Sequence, residues 1–79
     1  MHPSLRLVTE RFTHVRDHAM RLFEDDESFR DLCEDYEACA NTVARLEASR
    51  PASQAMRNEY AALLLRLERE MLRYLEEHP

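Results

Sequence analysis

The 79 residues of this chain carry a formal net charge of −5 and include no glycine and no lysine. Without glycine, phosphate-cradling loops and tight two-residue β-turns are disfavoured, so the composition indicates helices joined by short connections. The acidic balance argues against nucleic acid as a partner, because phosphate binding needs a clustered positive field. A chain this short predicts a single helical domain, residues 1–79, whose core is so small that a lone monomer would be marginally stable.

The first helix is predicted over about residues 5–23, with Ser4 as its N-cap. The acidic run 24–27 follows, and aspartate is unfavourable inside a helix but favourable at its start. We therefore expect a joint here rather than one continuous helix over 5–48. Spacings of three and four residues define the stripe of the first helix: Leu5, Val8, Phe12, Val15, Ala19 and Leu22.

The second helix is predicted over about 27–48, with Ser28 and Asp31 as a capping box. Its apolar stripe contains Phe29, Leu32, Cys33, Tyr36, Cys39, Ala40, Val43 and Leu46.

Pro51 ends that pattern, and the third helix is predicted over about 52–77. The short joint predicts an elongated antiparallel hairpin in which Leu46 faces Met56 and Phe29 faces Met71. The stripe of the third helix is Met56, Tyr60, Leu63, Leu64, Leu67, Met71, Tyr74 and Leu75.

A second apolar strip on the third helix consists of Ala61, Leu65 and Leu72, set beside the main stripe and separated from it by Glu68. One neighbouring helix cannot cover both strips. We therefore expect the first helix or a second copy of the chain to pack there, and we take these three residues as the candidate interface.

The segment 25–36, which reads DDESFRDLCEDY, together with ARLE at 44–47, resembles the core of the small bacterial YdcH-like proteins, loosely akin to SlyX-type proteins. The resemblance covers the second helix, and the third helix only as a pattern. It implies a bacterial helical hairpin and transfers no active site. The apolar stripes, rather than the resemblance, predict assembly as a helical bundle or coiled coil.

Two pairs of residues could carry chemistry. His14 and His18 share a helical face and are weak candidates for a metal site, although a solvated surface is the favoured interpretation. Cys33 and Cys39 are expected to be buried free thiols, with an intersubunit disulfide or a redox sensor as the alternative. The stripe tyrosines, Tyr36, Tyr60 and Tyr74, are expected to pack in the core with hydroxyls reaching water or a carboxylate.

No pattern indicates catalysis, and no cofactor is expected. The chain also lacks a signal-peptide pattern and any apolar run near the ~20 residues that span a bilayer, so we expect a cytoplasmic protein with no membrane contact. The sequence favours a protein-interaction or self-association module, in the form of a homodimer or higher oligomer. The alternatives are a small acidic adaptor or inhibitor that binds a larger protein, and a metal-responsive regulator that uses His14 and His18.

Overall fold

The computed structural model describes residues 1–49 and 53–79, and the regular structure in those ranges is helical. The all-helical prediction is confirmed, but the expected count of three helices is wrong, because four α-helices form within the described residues. The predicted break at Pro51 lies outside the described residues. In chain order the helices are α1 (Pro3–Arg11), α2 (Arg16–Asp25), α3 (Glu27–Ala48) and α4 (Gln54–Glu77).

The first predicted helix is interrupted at Phe12, which leaves helical geometry at φ −121° and ψ 68°. A short 3-10 turn, Thr13–Val15, then leads into α2. Neither proline nor glycine causes this break. The buried Phe12 ring lies 6.4 Å from the ring of Tyr36, and the reversal allows both halves of one apolar stripe to pack against the same end of the molecule.

The start of α1 also differs from the prediction. The N-cap is His2, whose Nδ1 accepts a hydrogen bond from the Ser4 backbone N–H at 3.1 Å, while Pro3 occupies the first turn. Ser4 itself is fully buried inside the helix. Proline suits this position because its missing N–H would have no helical acceptor there.

The joint between α2 and α3 lies where the acidic run predicted it, but Asp26 is the cap rather than Ser28. Asp26 Oδ1 accepts from the Phe29 N–H at 3.0 Å, and Oδ2 accepts from the Tyr74 hydroxyl at 2.6 Å. These two hydrogen bonds hold the pKa of the Asp26 carboxyl below its usual value. Across the joint, Arg30 donates to the Phe23 carbonyl at 2.8 Å and so satisfies the end of α2.

Helices α3 and α4 run antiparallel. Near one end the Phe29 and Tyr74 rings lie 5.8 Å apart, and further along Cys39 Sγ donates to the Tyr60 carbonyl at 3.7 Å. The molecule extends over 42 × 23 × 22 Å, which is the elongated shape expected of two long helices lying side by side.

The core lies at the end of this pair remote from the α3–α4 connection, where α1 and α2 pack against it. We call residues 27–39 and 67–77 the closed half of the pair, and residues 40–48 and 54–66 the open half. No residue in those two open-half ranges is buried. The buried cluster consists of Leu5, Val8, Phe12, Ala19, Phe29, Cys33, Tyr36, Met71 and Leu75.

The backbone at the helix ends uses ordinary conformations. Phe12, Asp26 and His78 have φ values of −121°, −128° and −126°, and Ser53, which caps α4, has φ −64°. These helix ends therefore avoid the left-handed conformation that commonly requires glycine. Among the described helices, none is long and apolar enough to cross a membrane.

Candidate interaction surface

The three predicted interface residues lie on one flank of α4 but in two different environments. Leu72 is half-buried and packs against the core, whereas Ala61 is exposed and Leu65 exposes 48% of its surface. The structure therefore divides the strip: its lower end is covered within the chain, and its upper end faces solvent.

Helix α1 reaches this flank of α4 at Glu68 and ends there. Arg11, the last residue of α1, places Nε 3.0 Å from Glu68 Oε2. With only nine residues, α1 is about 14 Å long and cannot also reach Ala61. An uninterrupted helix over 5–23 would have been about twice that length, so the break at Phe12 is what leaves the strip open.

Glu68 is the centre of a polar network that joins three helices. Besides the contact with Arg11, it accepts a hydrogen bond from the Tyr36 hydroxyl at 2.8 Å. Burial, followed by the neighbouring carboxylate, raises the pKa of Tyr36 to about 12. The same carboxylate raises the pKa of Arg11. The network therefore keeps tyrosine neutral and arginine charged, and it marks the boundary between covered and uncovered surface.

Beyond Glu68 an open channel of about 360 Å³ continues between α3 and α4. We call it the α1-side trough, because it lies on the Ala61 flank of α4. Its charged lining is one residue of each sign, Glu47 and Arg57, so it presents neither an acidic nor a basic field. It is lined by Val43, Leu46, Glu47, Gln54, Arg57, Asn58 and Ala61.

A second groove, of about 350 Å³, lies along the other flank of the same helices. Leu63 lines it and exposes 36% of its surface, and Met56 exposes 47% in the same half of α4. The sequence pattern assigned both residues to the buried seam with α3, and that prediction was wrong. Periodicity identifies the apolar side of a helix, but it does not reveal how much of that side a single neighbouring helix covers. The groove residues are Asp35, Ala38, Cys39, Thr42, Tyr60, Leu63 and Leu67.

The two cysteines are buried and free, as the spacing predicted. Burial raises the pKa of the Cys33 thiol to about 12 and also raises the pKa of Cys39. A thiol that stays protonated is a poor nucleophile and a poor metal ligand, so both side chains act as small apolar groups in the packing.

The expectation for the tyrosines is confirmed for two of the three hydroxyls. Tyr36 reaches Glu68 and Tyr74 reaches Asp26, each a carboxylate, while Tyr60 is half-buried beside the second groove.

His14 and His18 lie on one side of the turn that leads into α2, but they are not in one helix. His14 is exposed in the 3-10 turn, and His18 is half-buried in α2. His18 Nε2 donates to the His78 carbonyl at 2.6 Å, so this ring binds the end of α4. In residues 1–49 and 53–79 there is no group of three or more His, Cys, Asp or Glu side chains placed to hold a metal ion.

No family model matches the chain, and neither the curated proteins nor the solved structures gave a match. The resemblance to YdcH-like proteins therefore stays a prediction from the residues in 25–36 and 44–47.

Proposed function

We propose that this protein is a non-catalytic helical module that binds other protein surface through the open half of α3 and α4. The proposal rests on a contrast between the apolar spacing of the sequence in the open half and the low burial of the residues there. The apolar spacing continues through residues 40–48 and 54–66, yet no residue of those ranges is buried. Met56, Leu63 and Leu65 expose 47, 36 and 48% of their surfaces on one helix.

Solvent exposure of this apolar area is unfavourable by about 25 cal/mol for each Å² that a partner could cover. Exposed large apolar side chains on both flanks of one half of a small domain mark that half as a candidate binding surface. The two grooves that border the area are shallow and open along the helix pair, so they suit a helix or a flat protein surface better than an enclosed small molecule.

A photo-crosslinking amino acid at position 65, introduced in cells of the native host, tests this proposal. We expect a protein-sized crosslinked product from position 65. The matched control is position 66, where Arg66 is also exposed but points away from the strip by about 100° around the helix. Absence of any product from position 65, or equal products from both positions, would contradict the proposal.

The adaptor function is supported by a different observation. Helix α3 presents four exposed carboxylates in its first nine residues, and together they offer an acidic patch to a basic surface on a larger protein. A crosslinked product that forms at position 34 and disappears at high salt would favour this adaptor over the apolar interface. The four carboxylates are those of Glu27, Asp31, Glu34 and Asp35.

A further inference from the structure

This inference rests on the proposed function and names its partner. We infer that the α1-side trough is filled by the same flank of a second copy of this chain. The two copies run antiparallel about a two-fold axis that passes between Ala61 and Leu65. The two open halves then form a four-helix core, with α1 and α2 of each copy at opposite ends.

The exposed flank of α4 continues a flank whose lower end lies against the core. The lower end of this flank borders the core to which the amphipathic helix α1 contributes Leu5 and Val8, and α1 ends with Arg11 at Glu68. The trough continues the same flank beyond that point. An amphipathic helix is therefore the kind of element that this flank accepts.

The Ala61–Leu65 flank of one copy is complementary in shape to the same flank of a second copy. A filling helix needs an exposed apolar strip, and the Ala61–Leu65 flank is itself such a strip. In an antiparallel arrangement, Leu65 of each copy lies over Ala61 of the other, so a large side chain meets a small one at both contacts. This alternation permits close packing of two helices without a cavity.

The charged side chains beside the trough favour an antiparallel second copy. Arg57 lies near the outer end of the trough, and Glu68 lies eleven residues further along α4, about 16 Å away. Glu68 already pairs with Arg11, so Arg57 is the charge that decides: an antiparallel copy separates the two Arg57 side chains, whereas a parallel copy would place them side by side. The exposed carboxylates of α3, such as Asp31 and Glu34, stay on the outside, so two chains of charge −5 can approach on this flank.

The solvent-accessible surface of the chain is larger than expected for its mass. The chain exposes 5492 Å², about 500 Å² more than an average folded monomer of 9.4 kDa. A standard protein interface covers about 800 Å² on each partner. The surplus surface of this elongated chain is of that order, as expected if part of it is covered by a second copy.

Sedimentation velocity of the purified chain, at concentrations from about 1 to 100 µM, tests the inference. We expect a dimer that dissociates on dilution, and Leu65→Glu should weaken dimerisation at least about tenfold because it introduces a charge at the centre of the interface. Leu63→Glu is the matched control, since Leu63 lies on the other flank and its substitution should leave the dimer intact. Far-ultraviolet circular dichroism checks that both variants keep their helix content.

A second measurement fixes the orientation. Ala61→Cys and Leu65→Cys chains, mixed under oxidising conditions, should form a disulfide between the two variants faster than either variant alone. A wild-type chain that sediments as a monomer at 100 µM, or equal disruption by Leu63→Glu and Leu65→Glu, would overturn the inference. A monomer that still crosslinks to a different protein at position 65 would overturn only the second copy and leave the proposed function standing.

Discussion

The closed and open halves of the α3–α4 pair carry the same apolar spacing but differ in burial. In the closed half, Phe29 and Met71 are fully buried. In the open half, Met56 and Leu65 each expose nearly half of their surface. The difference comes from α1 and α2, whose buried residues join the core at the closed half. Helical periodicity decides which face turns towards a neighbour, and a further layer of helices decides whether that face is removed from water.

The largest expected effect comes from making the same substitution, methionine to alanine, once in each half. Met71→Ala should lower the free energy of unfolding by about 2–5 kcal/mol, because it leaves a cavity in the closed half. Met56→Ala should cost about 0.5 kcal/mol or less, since that side chain is nearly half exposed and lies outside the core cluster. Urea unfolding followed by circular dichroism measures both values, and equal losses would show that the open half is covered in solution.

High pH should weaken the closed half selectively. The pKa values of Cys33 and Tyr36 are both raised to about 12, so the folded chain keeps these groups protonated where the unfolded chain ionises them, from about pH 9 to 10 upwards. The unfolded state then binds fewer protons, and stability falls as pH rises, by about 1.4 kcal/mol per group for each pH unit.

Urea midpoints at about pH 8, 9.5 and 11 measure this loss. Because the chain has no lysine, no lysine titration overlaps this range. Tyr36→Phe removes the tyrosine contribution and should flatten the upper part of the curve. A midpoint that does not change between pH 9 and 11 would contradict the burial of both groups.

At neutral pH the network around Glu68 should contribute a smaller amount. Tyr36→Phe removes the hydroxyl that donates to Glu68 and should cost about 1–2 kcal/mol, as expected for a largely buried hydrogen bond to a charged acceptor. Tyr60→Phe, in the open half, is the matched control and should cost about 0.5 kcal/mol or less. A larger effect for Tyr60 in urea unfolding would reverse the assignment of the two halves.

The smallest expected effect concerns the helix caps. Ser53 accepts from the Met56 N–H at 3.3 Å, so Ser53→Ala should cost about 0.5–1 kcal/mol in thermal or urea unfolding. Ser28→Ala is the control, because Asp26 rather than Ser28 caps α3. A cost for Ser28→Ala as large as that for Ser53→Ala would indicate that the sequence-predicted capping box contributes after all.

The sequence predicted the long helices well, because their limits depend on local chemistry. The acidic run before α3 and Pro51 before α4 are signals that can be read without knowing the fold. The bounds Glu27–Ala48 match the expected 27–48, although the cap is Asp26 rather than the expected Ser28. The break at Phe12 has no such signal. It arises because the Phe12 ring packs against Tyr36 and Arg11 reaches Glu68, contacts that exist only once the chain has folded.

The candidate surface was predicted in part for the same reason. The pattern grouped Ala61, Leu65 and Leu72 as one strip, but it could not show that Leu72 packs against the core while Ala61 and Leu65 are exposed. It also placed Met56 and Leu63 inside the seam. Their exposure follows from the absence of a third layer beside residues 54–66, which no local spacing records.

The helices end at Phe12, Asp26 and His78 with negative φ values and without glycine. This affects the free energy of unfolding through the denatured state. A chain without glycine samples fewer backbone conformations when it is denatured, and so it loses less entropy on becoming ordered. For a domain with such a small core, this smaller loss of conformational entropy raises the free energy of unfolding, although no contact in the folded structure shows it.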